Sequence, residues 1–298
     1  MEVKKIIPQG YCKGVILALK KCLDAIDNPL VKRPIYLLGM PIHNKKVSEA
    51  LENKGLIILD NESRLQMLDQ IDGGTVIISA HGAAKQVFEK AKNKGLDIID
   101  ATCDSVNKIQ NTLRKTDRHI LYIGIKNHPE SEAILTEFEH ITLIESINDI
   151  NKLDYETKYF ATNQTTMSIF DTEDKYKKLK ELNFNVESIN LICDATTLRQ
   201  KALVYKKADL FVIVGDKKSS NTQKLYELAL TKTIHKLVLK IETLDDLAGM
   251  DLSNYQTAYV TSGASTPKKI TEEIVNYLTL YPNKKAISEL TLDDYLSI

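Results

Sequence analysis

The sequence predicts an α/β protein made of three small four-stranded α/β domains in a closed arrangement. Short runs of β-branched and aromatic residues alternate with stretches whose apolar residues recur at i, i+3, i+4 and i+7, as strands alternating with helices do. Three of the four cysteines, Cys12, Cys103 and Cys193, follow one another at intervals of 91 and 90 residues. Such an interval is too long for a solenoid repeat and suits a repeated small domain.

Twelve strand-like runs give four strands to each third of the chain. They lie at Val3–Ile7, Ile35–Leu38, Leu56–Leu59, Thr75–Ser79, Asp97–Asp100, His119–Ile123, Ile141–Ile144, Lys158–Ala161, Asn190–Ile192, Leu210–Val214, Lys236–Ile241 and Thr257–Thr261. Strands separated by helices indicate βαβ units and therefore parallel sheets. The last third has four strands only if the amino-terminal strand returns to pair with the carboxy-terminal half.

The cysteines also mark the expected domain boundaries. We expect a first domain at 13–102, a second at 103–192, and a third formed by 193–281 together with 1–12. Residues 282–298 form a carboxy-terminal tail, for which covering a domain and fraying both stay open.

Composition excludes several classes of protein. Forty basic residues balance forty acidic ones, so no net charge attracts nucleic acid or an anionic membrane. The apolar runs are strand-sized and the amino terminus has no signal-peptide pattern, so we expect a cytoplasmic protein that does not bind membranes. Four cysteines in such a chain argue against a disulfide framework and leave thiol chemistry or metal ligation.

The four cysteines divide into two kinds. Cys22 lies in the apolar stripe of a predicted helix, where a buried core thiol is expected. Cys12, Cys103 and Cys193 each lie between a predicted strand and a helix, and three thiols at one repeat position favour metal ligation. Three thiolates suit zinc or an iron–sulfur cluster. The sequence has no Cys-x-x-Cys pair, which excludes zinc ribbons and ferredoxin-type loops.

Polar loops fall at matching places in each third. They follow the first and the third strand: His43-Asn44, Asn127–Glu130 and Ser219–Asn221 in one set, Ala80–Gly82, Asn163–Thr166 and Gly263–Ser265 in the other. Open α/β sheets bind ligands at the carboxyl ends of their strands, and helix amino termini bind anions. The sequence therefore predicts one central cavity lined by the cysteine loops and these polar loops.

The side chains in these loops suit anion binding and proton transfer. Histidine donates to phosphate oxygens or transfers protons near neutral pH. We expect one of these functions for His43, His81 and His128. Glu130 is either a first-turn surface carboxylate or an acid that delivers protons in the cavity. The Ser219-Ser220-Asn221 trio either caps the next helix or cradles a phosphate.

Nine short motifs resemble the IspH/LytB family of 4-hydroxy-3-methylbut-2-enyl diphosphate reductases. They are GYCKGV, PIHN, SAHG, DATC, NHPE, NQTT, ICDATTLRQ, SSN and SGASTP, in the family's order from about Cys12 to Pro267. The resemblance implies a pseudo-threefold trefoil of three α/β domains around a central cluster cavity. It also implies the last step of the non-mevalonate isoprenoid pathway, the reductive dehydroxylation of (E)-4-hydroxy-3-methylbut-2-enyl diphosphate to isopentenyl diphosphate and dimethylallyl diphosphate.

The resemblance also implies roles for individual residues. Cys12, Cys103 and Cys193 would bind one oxygen-sensitive [4Fe-4S] cluster. Glu130, Thr165 and His128 would act in catalysis, organising the substrate hydroxyl and relaying protons. The allylic diphosphate would be held by His43, His81, His128, Thr165, Ser219, Ser220, Asn221 and Ser265. An external electron donor, ferredoxin or flavodoxin, and a monomer or homodimer are expected.

The chain departs from the family pattern at three places. Asp104 follows the second cysteine where the family usually has proline, and Asn127, Ser131 and Ala133 replace the two glycines and the valine of the histidine loop. The first half of the loop Gly215–Asn221 is also altered. Since every side chain with an implied chemical role is retained, these changes bear on rate, loop mobility or partner docking.

Two other functions remain open from the residues. A quinolinate-synthase-like catalyst also uses three domains, three cysteines and a cluster, but it would need basic groups for a dicarboxylate. A non-catalytic iron–sulfur or zinc protein, such as a redox sensor, would not require Glu130 and Thr165 in the cavity.

Overall fold

The computed structural model of the chain describes residues 1–282 and 290–297 and contains three four-stranded sheets. The strands are β1 (Glu2–Lys5), β2 (Ile35–Leu38), β3 (Leu56–Leu59), β4 (Thr75–Ile78), β5 (Asp97–Asp100), β6 (His119–Ile123), β7 (Ile141–Ile144), β8 (Tyr159–Asn163), β9 (Val186–Ser188), β10 (Leu210–Val214), β11 (Leu237–Ile241) and β12 (Thr257–Ser262). Each strand overlaps its predicted run except β9. The prediction of an α/β protein with three small four-stranded parallel sheets is therefore confirmed.

Helices follow the strands throughout, as parallel pairing requires. They are α1 (Lys13–Asp27), α2 (Lys45–Asn53), α3 (Arg64–Met67), α4 (Lys85–Asn93), α5 (Asp104–Leu113), α6 (Pro129–Glu137), α7 (Ile147–Ile150), α8 (Ile169–Glu181), α9 (Asp194–Leu203), α10 (Ser220–Lys232), α11 (Lys268–Leu280) and α12 (Leu292–Tyr295). Short 3-10 helices lie at Leu68–Gln70 and Leu244–Leu247.

The three sheets repeat one topology. Their strand orders are β3-β2-β4-β5, β7-β6-β8-β9 and β11-β10-β12-β1, and every pair is parallel. In the first two of these sheets the first strand along the chain lies between the second and the third, and the fourth lies outside the third. In the last sheet β1 takes the position of the fourth strand, paired with β12 from Glu2 opposite Thr257 to Lys5 opposite Val260. The amino-terminal strand therefore returns to the carboxy-terminal half, as expected.

The chain divides into two compact units. Unit one contains Met1–Ile16, Ile42–Asn53 and Asp194–Ile298, and unit two contains Leu17–Pro41 and Lys54–Cys193. The sheet β11-β10-β12-β1 belongs to unit one, and the other two sheets belong to unit two. The three domain boundaries expected from the cysteines stay a prediction.

Burial follows position within each sheet. Every residue of the inner strands β4 and β10 is buried, as expected for parallel strands covered by helices on both faces. The edge strand β1 has an exposed Glu2, Lys4 and Lys5. Lysine on an edge strand discourages pairing with another chain.

The run Asn190–Ile192 was predicted as a strand, but β9 ends at Ser188. The backbone after β9 is bound by side chains: the Leu191 N–H donates to Asn163 Oδ1 at 3.1 Å, and the Ile192 N–H to Asn190 Oδ1 at 3.0 Å. A segment that satisfies its N–H groups on side chains needs no ladder partner. These bonds place an extended loop between β9 and Cys193.

Part of the carboxy-terminal tail packs on unit one. Helix α12 contacts α2, and the Tyr295 side chain at its end is buried. The Tyr11 hydroxyl donates to the Tyr295 carbonyl at 2.6 Å, and Lys269 pairs with Asp294. Residues 290–297 therefore cover this unit, while 283–289 and 298 lie outside the described residues.

The helices of the described ranges are short relative to the thickness of a bilayer. Across 1–282 and 290–297, no helix combines the length and the apolar character needed to cross a membrane.

Candidate active site

The three regularly spaced cysteines occupy equivalent positions. Each directly precedes a helix, namely α1, α5 or α9. Each cysteine N–H also donates, at 3.1 Å, to a backbone carbonyl in the loop after the third strand of a sheet: Cys12 to Ala264, Cys103 to Ala80 and Cys193 to Thr165. The sequence interval thus corresponds to one repeated backbone geometry, in which each cysteine is tied to a loop with a predicted site residue.

Cys22 differs from the other three cysteines in its burial. None of the four cysteines, all within the described residues, forms a disulfide, and Cys12, Cys103 and Cys193 are half-buried. Cys22 is 1% exposed, and burial raises the pKa of its thiol to about 12. Cys22 is therefore a protonated core residue, while the other three thiols lie at helix starts, where the helix dipole favours an anionic ligand.

Glu130 lies in the first turn of α6 and is buried, with 1% exposure. Its Oε1 accepts from the Thr165 N–H at 2.8 Å and from the Tyr122 hydroxyl at 3.2 Å, and its Oε2 lies 2.8 Å from the Thr165 hydroxyl. Burial raises the pKa of Glu130 to about 7, because it disfavours the anion more than these bonds stabilise it. The carboxyl can therefore hold or release a proton near neutral pH.

Two histidines accompany this carboxyl in unit two. His128 is the N-cap of α6, and its Nδ1 accepts from the Glu130 N–H at 3.1 Å. The His81 ring packs edge-on against the His128 ring, with their centroids 5.6 Å apart. The Cys103 N–H donates to the Ala80 carbonyl and the Cys193 N–H to the Thr165 carbonyl, so two cysteine loops of unit two are hydrogen-bonded to the loops that contain His81 and Thr165.

Unit one contains a loop suited to an anion. Ser219 is the N-cap of α10, and its hydroxyl lies 3.2 Å from that of Ser265. Ser220 begins the helix and is buried. Asn221 Oδ1 accepts from the Thr196 hydroxyl at 2.9 Å. Hydroxyls beside a helix amino terminus form a phosphate-binding arrangement.

Two glycines, one directly after β10 and one directly after β12, let the backbone of both loops approach α10 closely. A Cβ at Gly263 would lie 2.3 Å from Thr222 Oγ1, and one at Gly215, where φ is +147°, would lie 2.4 Å from the same atom. Neither contact is possible for a real side chain. Glycine at both positions therefore lets the two loops lie this close to Thr222 of α10.

His43 also lies in unit one, at the start of the turn into α2. The next residue, Asn44, caps that helix by accepting from the Val47 N–H at 3.2 Å. His43 is half-buried. The cap fixes the backbone that presents the imidazole.

Three residues that contact the candidate site had no role assigned from the sequence. Tyr122 looks like an apolar strand residue, yet its hydroxyl contacts Glu130. Gln164 accepts from the Ile125 N–H at 3.0 Å and holds the Thr165 loop against β6. Arg64 is buried and joins Glu132 of α6 at 3.2 Å to Ser79 at 3.4 Å. A polar residue at a position expected to be buried is a weak sign of function. A single sequence does not distinguish such a residue from one that only packs in the core.

Comparisons with known proteins show which sequences and folds this chain is similar to. A family model described as LytB protein matches residues 3–279. A 4-hydroxy-3-methylbut-2-enyl diphosphate reductase of Bacillus licheniformis is 42% identical over 295 residues, covering 95% of this chain and 92% of its own length. A protein of the same name from Bacillus subtilis is 41% identical over 295 residues, with the same coverage of 95% and 92%.

Solved structures resemble the fold over nearly its whole length. The E-1-hydroxy-2-methyl-but-2-enyl-4-diphosphate reductase of Plasmodium falciparum superimposes with a TM-score of 0.84 at 32% identity, covering 99% of this chain and 96% of that one. A second structure, described as (E)-4-hydroxy-3-methyl-but-2-enyl diphosphate reductase, the terminal enzyme of the non-mevalonate pathway, has a TM-score of 0.64 at 27% identity, with 93% and 99% covered. Because the family model matches nearly the whole of this chain and both of these relatives are more than 40% identical to it, the chain belongs to the LytB protein family.

Proposed function

We propose that this chain is an oxidoreductase that converts (E)-4-hydroxy-3-methylbut-2-enyl diphosphate to isopentenyl and dimethylallyl diphosphates by reductive dehydroxylation. The named relatives, 42% and 41% identical over 95% of the chain, support this activity. The observation that carries the proposal is the buried Glu130 carboxyl, which contacts Thr165 through both of its oxygens. The carbonyl of the same Thr165 accepts from the Cys193 N–H, so a proton carrier adjoins a cysteine loop.

The donor set fits an iron–sulfur cluster. Cys12, Cys103 and Cys193 are half-buried thiols in one repeated backbone geometry, and thiolates are the usual ligands of iron–sulfur clusters. These three residues would hold one [4Fe-4S] cluster. When bound, such a cluster supplies electrons and an iron with an open position that can act as a Lewis acid.

Glu130 and Thr165 would deliver the proton that the leaving hydroxyl needs. With the pKa of Glu130 raised to about 7, a large fraction of the carboxyl is protonated at neutral pH. The proton passes from Glu130 through the Thr165 hydroxyl, 2.8 Å away, so that the substrate oxygen departs as water. General acid assistance of this kind contributes about 10²–10⁴ in rate.

The diphosphate would be bound by hydroxyls, imidazoles and a helix amino terminus. Ser219 and Ser265 would donate from their adjacent hydroxyls, with Ser220 and Asn221 at the start of α10. The imidazoles would be those of His43, His81 and His128, with His128 also near the reacting hydroxyl. Local donors of this kind suit a chain whose formal net charge is zero, because they bind an anion without a basic surface.

We also propose a domain organisation, an electron donor and an oligomeric state. The domains would lie at 13–102, 103–192 and 193–281 with 1–12. An external donor, ferredoxin or flavodoxin, would supply the electrons to a monomer or homodimer. Cytoplasmic conditions would keep the three cluster thiols reduced.

The test is turnover by anaerobically purified protein. With substrate and a chemically reduced low-potential viologen, we expect oxidation of the viologen and formation of both isomeric diphosphates, identified after dephosphorylation. A brown protein that forms neither product would favour a redox sensor or a quinolinate-synthase-like activity. A colourless, zinc-loaded protein would contradict the proposed reaction.

A further inference from the structure

Tyr122 is a polar residue in the buried interior of β6. Its side chain is 0% exposed, and its hydroxyl lies 3.2 Å from Glu130 Oε1. A Cβ at Gly124 would come within 2.8 Å of the Tyr122 ring. Glycine at that position therefore makes room for the ring. Local packing thus holds the phenol against the carboxyl.

The two oxygens of Glu130 have different surroundings. Among the described residues, Oε1 receives two donors, the Thr165 N–H at 2.8 Å and the Tyr122 hydroxyl, while Oε2 faces the Thr165 hydroxyl at 2.8 Å. A backbone N–H can only donate, so Oε1 must accept from it. An oxygen that already accepts two hydrogen bonds is a poor place for the carboxyl proton. A proton on Oε2 donates instead to Thr165 Oγ1.

We propose that Tyr122 is a positioning residue whose hydroxyl, together with the Thr165 N–H, keeps the Glu130 proton on Oε2, facing the Thr165 hydroxyl. The inference rests on the proposed function, in which Glu130 supplies a proton through Thr165. Without the phenol, Oε1 keeps one donor and becomes equivalent to Oε2 in donor number. The proton is then divided between an oxygen that leads to Thr165 Oγ1 and one that does not.

Other titratable groups lie near Glu130. His128 Nδ1 accepts from the Glu130 N–H at 3.1 Å. His81 packs against the His128 ring, and Glu132, two residues further along α6, pairs with Arg64. Tyr122 directly lowers the pKa of Glu130 by donating to its carboxylate, against the larger opposing effect of burial. Removal of the hydroxyl should therefore raise the pKa further.

The experiment is Tyr122→Phe in the full chain with its cluster, measured in two ways. Carbon-13 NMR of glutamate-labelled protein, with the Glu130 signal assigned by its loss in Glu130→Gln, gives the pKa of that carboxyl without turnover. We expect this pKa to rise by about one unit, because one hydrogen bond to the anion is lost. The alkaline limb of the kcat profile should move to higher pH by the same amount, and kcat on the acid side should fall about two-fold.

A matched control is Tyr159→Phe in the same sheet. Tyr159 is also buried, and its hydroxyl accepts from the Asp154 N–H at 3.0 Å rather than contacting Glu130. This variant should leave both titrations unchanged.

Incorporation of 3-fluorotyrosine at position 122 tests for a change of the Glu130 pKa in the opposite direction, with little change in the shape of the side chain. Its more acidic hydroxyl is a stronger donor, so the pKa of Glu130 should fall.

The two titrations separate failure of this inference from failure of the proposed function. A folded Tyr122→Phe chain whose Glu130 titrates as in the wild type would overturn the positioning role, as would a 3-fluorotyrosine chain that shifts in the same direction as the phenylalanine variant. If the NMR pKa moves as expected but the wild type forms no product, the proposed reaction fails while the hydrogen bond from Tyr122 to the Glu130 carboxylate stands. If the pKa moves and kcat on the acid side does not fall, the placement of the proton on Oε2 is overturned.

Discussion

Replacing Glu130 by glutamine should stabilise the folded chain at alkaline pH while it removes turnover. Burial raises the pKa of this carboxyl from an ordinary value of 4.5 to about 7. Between those values the folded state holds a proton that the unfolded state has lost, so the free energy of unfolding falls as pH rises. Above pH 7 the folded wild type contains a buried anion, whereas the amide of Glu130→Gln stays neutral.

The magnitude follows from the size of the shift. Each pKa unit corresponds to about 1.4 kcal/mol, so the full penalty is about 3 kcal/mol. Part of it is already present at pH 5.5. The stability difference between Glu130→Gln and the wild type should therefore grow by about 2 kcal/mol between pH 5.5 and pH 8.5.

The assay is anaerobic urea unfolding followed by circular dichroism at the two pH values. Glu52→Gln, on an exposed position of α2, controls for the loss of a carboxylate and should follow the wild type at both pH values. Turnover of Glu130→Gln should fall by about 10²–10⁴ if the carboxyl is the general acid. If the difference in free energy of unfolding between the wild type and Glu130→Gln is the same at both pH values, the buried-acid reasoning is refuted. Full activity of Glu130→Gln would refute the proton relay.

Three further outcomes test other parts of the structure. Ser219→Ala should raise KM for the diphosphate about ten-fold with little change in kcat, since it removes a hydrogen bond to a charged ligand; an unchanged KM in steady-state assays would contradict that role. Gly263→Ala should lower the free energy of unfolding by about 1–3 kcal/mol, because its Cβ would meet Thr222 Oγ1 at 2.3 Å. Adding Thr222→Ala to that chain should recover part of the lost stability. If urea unfolding shows instead that the losses of the two substitutions add, the clash is contradicted. Tyr295→Ala should lower the unfolding temperature, since the side chain is buried on unit one, and an unchanged melting curve would show that the tail adds no stability.

The sheets could be predicted because parallel strands are short, apolar and separated by helices. β2, β3 and β5 begin and end where the apolar runs do. The ninth strand was misplaced because Asn163 takes the Leu191 N–H that a strand partner would otherwise accept. A bond between residues this far apart along the chain leaves no local pattern.

Spacing and motifs indicated the candidate site residues, whose roles stay a prediction. Cys12, Cys103 and Cys193 share one phase of the repeat, and the structure gives them the same backbone bond at 3.1 Å. Tyr122 could not be predicted, since its ring is buried like any core aromatic residue and its role depends on a hydroxyl that meets Glu130. The raised pKa of Glu130 likewise follows from burial, which the polar loop sequence does not suggest.

The central claim is that three cysteines, one from each repeat, hold a single cluster. Its most direct test is iron and acid-labile sulfide analysis of anaerobically purified wild type beside the four single cysteine-to-alanine variants. We expect about four irons and four sulfides per chain in the wild type and in Cys22→Ala. Large losses should follow at Cys12, Cys103 and Cys193. Equal iron in all five proteins, or loss at Cys22 alone, would contradict the account.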